Sequence, residues 1–322
     1  MANQIAPIRL RWWRPSDVPI IYHRMWVTAR YGLPKGLPPH AKGTMNINSR
    51  DPERRILVNL YFDQEISGAS PVIIHLSGRG FCIPSHGVDD TFLDYVANNE
   101  SAFVVLDVNY RLAPENPFPA ALEDVEDVVA YLTSRPQEFD LSHLAICGFG
   151  IGGNLALAMA INSPPNTFTT VVAFYPVVDM SISERDKIKN MDRIVRKKMR
   201  MGTGGVIPLA LMEGNRKRYL RGHPETIVND SRVSPGREND LTRFPRRCFF
   251  VTCEGDPWAQ ETRTLLGRLR QARPQSTTLR GIQIPNVGHA WDKCKKLDAH
   301  GAAHKYSAYT EAARFLRREI DP

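Results

Sequence analysis

Long apolar runs and paired cysteines are absent from this sequence of 322 residues. No stretch approaches the roughly 18 apolar residues of a membrane-spanning helix, so no membrane span is expected. The opening residues MANQIAPIRLRWWRP lack the apolar core of a secretory signal, which favours a cytoplasmic location. The five cysteines show neither CxxC pairs nor an ordered spacing to histidines. We therefore expect no disulfide, no metal site and no bound cofactor.

The excess of basic over acidic residues lies in one segment. The net charge is +8, and residues 184–222, with 12 basic and 4 acidic residues, account for all of it. Such a segment is typical of a solvated helix face, or of a patch for an anionic surface. No nucleic-acid recognition motif accompanies it, so no nucleic-acid partner is expected. Ile188, Met191, Val195 and Met199 recur at helical spacing and predict one amphipathic helix.

Short apolar runs alternate with helical patterns along most of the chain. The predicted strands are 56–62, 71–76, 102–108, 144–147, 171–176, 248–253 and 281–285. The predicted helices are 118–134, 153–160, 257–272 and 302–319. This alternation predicts an α/β fold with a mostly parallel, doubly wound sheet covered by helices on both faces.

Two stretches interrupt the alternation and are predicted to be lid elements. Residues 1–50 form an N-terminal lid or cap segment in this interpretation. Residues 51–322 form the core, into which a basic lid is inserted at about 180–240.

Ligand sites of such sheets lie beyond the carboxyl ends of the strands. Three of these positions hold a turn or a side chain that could take part in a reaction. A glycine-rich turn at 148–152, GFGIG, follows one strand; Asp256 follows a later strand, and His289 follows the last. The order of elbow, acid and histidine is that of the α/β-hydrolase triad.

Several longer motifs support this interpretation. Residues 104–132, VVLDVNYRLAPENPFPAALEDVEDVVAYL, contain a YRLAPE segment that leads into a helix, and SRVSPG, CEGDPWAQE and NVGHAW occur further along the chain. From about residue 55 onward the sequence resembles the hormone-sensitive-lipase branch of the α/β-hydrolases. The resemblance implies an α/β-hydrolase fold with Asp256 as triad acid and His289 as triad base.

The elbow departs from the family pattern. The family has GDSAGG, whereas this chain has GFGIGG, so Gly150 stands at the position of the nucleophilic serine and Phe149 at that of the preceding aspartate. No hydroxyl or thiol is present at the elbow. Cys147 lies three residues upstream, at a strand end, where a small buried core residue is the expected role.

The oxyanion motif departs as well. The family motif HGGGF corresponds here to Ser77-Gly78-Arg79-Gly80-Phe81, and in an alternative register His75 takes the place of the motif histidine. The candidate oxyanion donors are the backbone N–H groups of Ser77, Gly78, Arg79, Gly80 and, at the elbow, Ile151. Main-chain donors do not depend on the identity of the side chains. Arg79 would add a fixed positive charge beside them.

Without a nucleophile, ordinary serine esterase activity is not expected. An imidazole supported by a carboxylate can still transfer protons near neutral pH. The leading hypothesis is a non-hydrolytic lyase, isomerase or cyclase acting on a small carbonyl-bearing or anionic molecule, as in specialised metabolism. A small-molecule-binding protein of the same fold is the alternative, and hydrolysis by a water that His289 activates is the third. A homodimer is among the oligomeric states left open.

Overall fold

Eight strands form one sheet in the computed structural model, which describes residues 20–22, 24–25, 36–63, 68–78, 80–98, 103–196, 209–294 and 297–317. They are β1 (Gly43–Asn48), β2 (Arg55–Tyr61), β3 (Ser70–Leu76), β4 (Val104–Val108), β5 (Phe139–Phe149), β6 (Thr170–Phe174), β7 (Arg247–Cys253) and β8 (Leu279–Ile284). The order across the sheet is β1-β2-β4-β3-β5-β6-β7-β8. Only β2 runs antiparallel to its neighbours β1 and β4, which confirms the predicted mostly parallel sheet.

Helices cover both faces of this sheet. They are α1 (Asp90–Ala97), α2 (Ala120–Thr133), α3 (Ile151–Asn162), α4 (Glu184–Asn190), α5 (Leu209–Tyr219), α6 (Ala259–Ala272) and α7 (Ala299–Arg317). On β3, Ile74 packs into one core while its neighbour Ile73 packs into the other. Central strands buried on both faces explain the uninterrupted apolar runs. No helix of the described residues has the length and hydropathy to cross a membrane.

Strand β1 and the helices α1 and α5 were not predicted from the sequence. Strand β1, with the sequence GTMNIN, lies at the sheet edge and its residues alternate in exposure. It belongs to the stretch that was expected to be a lid, and its half-polar composition hides it from a search for apolar runs. Helix α1 is only eight residues long and buries Phe92, Leu93, Val96 and Ala97.

The prediction of one basic amphipathic helix is wrong. Helix α4 ends at Asn190, because the backbone of Met191 is extended, with ψ at 146°. A new turn then starts at Asp192, whose carboxylate accepts hydrogen bonds from the N–H groups of Ile194 and Val195 at 2.8 and 3.0 Å. An aspartate that caps a following turn competes with continuation of the preceding helix. The predicted position Met199 lies outside the described residues.

Part of the basic segment is buried rather than solvated. Lys187 on α4 is only 4% exposed, and its ammonium lies 2.9 Å from the carboxylate of Glu261 on α6. The cation therefore holds α4 against the body of the protein. Charge patterning alone could not reveal this, because the partner lies 74 residues further along the chain.

Helix α3 starts unusually close to β3. A β-carbon on Gly152 would lie 1.9 Å from the carbonyl oxygen of Leu76. Only glycine permits this approach, because a real β-carbon never comes so near a backbone oxygen. The glycine at position 152 of the elbow is therefore required by packing.

A cluster of charged side chains is buried beside the central strands. His75 on β3 and Asp107 on β4 are register partners, and His75 Nδ1 lies 2.8 Å from Asp107 Oδ1. His75 Nε2 lies 3.3 Å from a carboxylate oxygen of Asp89. Burial opposes protonation, but hydrogen bonding to Asp107 and Asp89 outweighs it and raises the pKa of His75 to about 9. The imidazole is therefore charged at neutral pH and bridges two carboxylates.

Replacing His75 by glutamine should change how stability depends on pH. The folded-state pKa is raised from 6.5 to about 9, so the charged imidazole contributes its full stability below pH 6.5 and loses it as pH rises through 9. The free energy of unfolding of the parent minus that of His75→Gln should fall by about 3 kcal/mol between these limits. Urea unfolding at several pH values measures it. A difference that is constant with pH would contradict a charged His75.

Candidate active site

The predicted acid and base meet beyond the carboxyl ends of β7 and β8. His289 Nδ1 lies 2.7 Å from Asp256 Oδ2. The other carboxylate oxygen of Asp256 accepts the backbone N–H of Trp258 at 2.9 Å, which fixes the carboxylate. The Asp256 side chain is 1% exposed and that of His289 is 12% exposed. The pair is thus sheltered, with its outer edge open to a substrate.

Gly150 forms the turn between β5 and α3. Its φ of +53° and ψ of −115° are unfavourable for residues with a side chain, and its N–H donates to the carbonyl of Phe174 at 2.8 Å. A β-carbon built on Gly150 would lie 3.3 Å from His289 Nε2. The structure therefore places the free ring nitrogen of His289 directly over the side of Gly150 on which a side chain would stand.

Two aromatic rings hold the imidazole from the sides. The ring centroid of His289 lies 4.6 Å from that of Trp258 and 4.7 Å from that of Tyr175, both in edge-to-face geometry. Tyr175 has a positive φ of 38°, a strained conformation of the kind that clusters at functional sites. Neither residue was predicted from the sequence. Tyr175 directly follows β6, so the same rule that found Asp256 and His289 could have found it.

The predicted oxyanion loop lies against the elbow. A β-carbon on Gly78 would lie 1.8 Å from the carbonyl oxygen of Phe149 and 3.3 Å from the nitrogen of Gly150. Ser77 precedes it, and its hydroxyl bonds that of Ser85 at 2.8 Å. Its backbone N–H remains a candidate donor, whereas its side chain is engaged elsewhere.

The remaining oxyanion candidates are distributed around the same turn. Gly80 has a φ of +67°, and the amide of Asn215 from α5 fills the side where its β-carbon would lie. Ile151 is the first residue of α3, where backbone N–H groups have no partner within the helix. Arg79, which was expected to bring a cation to the site, lies outside the described residues.

Phe149 fills the position at which the resemblance would put an aspartate. It is 1% exposed and stacks on Phe174 with ring centroids 4.4 Å apart. The Nζ atom of Lys293 lies over the Phe149 ring, 3.6 Å from its centroid. An apolar residue here is therefore packed into the core and does not face a substrate.

The alternatives considered for the nucleophile and the oxyanion loop are disfavoured. Cys147 is 1% exposed, and burial raises the pKa of its thiol far above its usual range. A nucleophilic cysteine needs the opposite shift. His75 lies within β3 and is fully buried in the charged cluster, so it does not belong to the oxyanion loop.

Known proteins with similar sequences or structures are hydrolases. The family described as the α/β hydrolase fold matches residues 73–293. A carboxylesterase of Mycobacterium tuberculosis is 26% identical over 224 residues, which cover 63% of this chain and 69% of that protein. An α/β hydrolase of Acanthamoeba polyphaga mimivirus is 27% identical over 118 residues, which cover 35% of this chain and 34% of that protein.

Among solved structures, a thermostable carboxylesterase cloned from a metagenomic library superposes with a TM-score of 0.72. It is 24% identical, and the match covers 94% of this chain and 96% of that chain. At this identity the likeness shows the fold.

The expected reaction class is wrong. A non-hydrolytic lyase, isomerase or cyclase was expected, with a binding protein as the alternative, but the curated relatives are carboxylesterases and acetyl esterases. The error has a physical origin. The missing side chain at Gly150 placed hydrolysis by water last among the three hypotheses, although a base that faces an open position can act on water as well as on a hydroxyl. The family match over residues 73–293, together with the strand order and the elbow, shows that this chain belongs to the α/β-hydrolase fold family.

Proposed function

We propose that this protein hydrolyses carboxylic esters, with His289 as the general base, Asp256 as its partner and water as the nucleophile. One observation carries the proposal. His289 Nε2 is directed at the side of Gly150 where a β-carbon would be 3.3 Å away, so a water can stand where a side-chain hydroxyl would. The carboxylesterase relatives support ester hydrolysis as the reaction.

The hydrogen bond to Asp256 decides which nitrogen of His289 acts. Nδ1 donates its proton to the carboxylate at 2.7 Å, so Nε2 is left with a lone pair. As water attacks the ester carbonyl carbon, its proton passes to Nε2. The tetrahedral intermediate then collapses, the imidazolium returns the proton to the leaving alcohol, and the carboxylic acid remains.

Backbone N–H groups would stabilise the negative charge that develops on the carbonyl oxygen. We assign this role to Gly78, Gly80 and Ile151, because their loop and helix start meet at the elbow. Donors that are held by packing need no rearrangement during the reaction. The helix start of Ile151 adds the favourable end of the α3 dipole.

Part of the basic insertion would act as a lid for this site. On α5, Tyr219 stacks on Phe81 of the oxyanion loop, with centroids 3.6 Å apart and planes 7° apart. Asn215 of the same helix lies against Gly80. We propose that the described part of residues 180–240 covers the site. Within residues 1–50, β1 joins the sheet, and residues 1–19, 23 and 26–35, which were expected to belong to a second lid, lie outside the described residues.

Replacement of His289 by alanine tests the base. With p-nitrophenyl acetate as substrate, we expect kcat/KM to fall at least ~10²-fold, the scale for a positioned general base. His143→Ala is the matched control, because His143 pairs with Asp140 at the far end of β5. The parent should exceed the uncatalysed rate by about 10³ to 10⁴, as triad enzymes without their nucleophile do. A parent at the buffer rate would refute ester hydrolysis of this substrate.

Replacement of Gly150 by serine tests the geometry of the elbow. The new hydroxyl would lie next to His289 Nε2, so it should displace fluoride from a fluorophosphonate. The variant should then gain the mass of the phosphonyl group at position 150, whereas the parent stays unlabelled. The positive φ costs the variant about 1–3 kcal/mol of stability. Gly150→Ala carries the same strain without a hydroxyl and is the control. A folded, unreactive Gly150→Ser variant would show that His289 does not reach this position.

A further inference from the structure

Lys293 lies at the junction of the elbow, the His289 segment and the buried charged cluster. It ends the short 3-10 turn Trp291–Lys293, which follows His289 closely along the chain. Its Nζ atom lies 2.5 Å from Asp89 Oδ1 and 2.8 Å from Asp292 Oδ2. The same atom lies 3.6 Å from the ring centroid of Phe149. One side chain therefore contacts three separate parts of the fold.

The ammonium of Lys293 is held in its charged form. Burial opposes the charge, but the carboxylates of Asp292 and Asp89 outweigh this effect and raise the pKa of Lys293. Nζ lies near three oxygen atoms, namely one of the Asp89 carboxylate, one of the Asp292 carboxylate and the Tyr309 hydroxyl, which accepts its hydrogen bond at 3.2 Å. A cation that contacts three oxygen atoms holds its neighbours in one arrangement.

Asp292 connects this cation to the wall of the site. Its Oδ1 accepts the hydroxyl of Tyr175 at 2.7 Å, and its Oδ2 accepts that of Tyr309 at 2.7 Å. The ring of Tyr175 is the one that packs against His289. The contacts of Lys293 thus support both the chain segment that carries His289 and an aromatic ring beside it.

We propose that Lys293 is a positioning residue, which holds His289 Nε2 over Gly150 by fastening the His289 segment to Phe149 of the elbow and to Asp89. Phe149 contributes the face of its ring, which attracts a cation. The catalytic consequence rests on the proposed ester hydrolysis, whereas the geometric consequence does not. Position matters here because a displacement of about 1 Å can cost ~10²-fold in rate.

The test compares Lys293→Met with Lys305→Met. Lys305 bonds the backbone carbonyl of Asp292 at 2.9 Å, not its carboxylate. Its loss removes a neighbouring cation and one bond to the same turn, but it leaves the contacts of Lys293 with Asp89 and Phe149 in place. The first measurement is the proton NMR signal of His289 Nδ1–H, identified by its absence in His289→Ala. We expect Lys293→Met to lose this signal to exchange with water, and Lys305→Met to keep it.

The second measurement is hydrolysis of p-nitrophenyl acetate. We expect kcat to fall at least tenfold in Lys293→Met, with KM changed less than twofold, because Lys293 is proposed to position His289 and not to bind the substrate. Should the parent show no hydrolysis, the NMR signal still decides the positioning role. Failure of the proposed function is therefore distinguishable from failure of this inference.

A double variant guards against misfolding. Lys293→Met leaves Asp89 buried with one partner fewer, which is strongly destabilising, whereas Lys293→Met with Asp89→Asn removes both charges of the pair. We expect this double variant to recover stability but not the His289 signal. A retained signal in folded Lys293→Met, or its recovery in the double variant, would overturn the proposal, since Lys293 would then serve only to neutralise Asp89.

Discussion

The backbone of Gly150, with φ at +53° and ψ at −115°, lets β5 turn into α3 without an intervening loop. Everything else in the site is placed relative to that turn. Helix α3 approaches β3 closely enough to exclude a β-carbon at Gly152, and the oxyanion loop packs on the carbonyl of Phe149. The turn is preserved by packing on both sides, so its shape does not depend on a nucleophilic side chain.

Two of the imidazole–carboxylate pairs of this protein lie in contrasting surroundings. His75 and Asp107 are fully buried and share their environment with Asp89, so the imidazole is held as a cation. His289 Nδ1 lies 2.7 Å from the Asp256 carboxylate, and His75 Nδ1 lies 2.8 Å from that of Asp107. The distances are similar, but one edge of His289 faces the elbow. The same chemical pair therefore serves the core in one place and is available for proton transfer in the other.

Much of the fold could be predicted because the central strands are buried on both faces and read as apolar runs. Strand β1 could not, since an edge strand needs few apolar residues. The basic helix was predicted as continuous because apolar spacing passes through Met191, and the cap at Asp192 was overlooked. Asp256 and His289 were found from chain order, and Tyr175 could have been found by the same rule. The contacts of Trp258 and Lys293 join distant segments, and no local pattern reveals them.

The lack of a side chain at Gly150 has a consequence for the fate of the acyl group. A hydrolase that uses a serine forms an acyl-enzyme, and added alcohols or amines can intercept that intermediate and receive the acyl group. Gly150 provides no atom to carry one. Ester cleavage at such a site would be a single displacement by water, with no burst of alcohol and no transfer to other acceptors, so the elbow would determine the product as well as the rate.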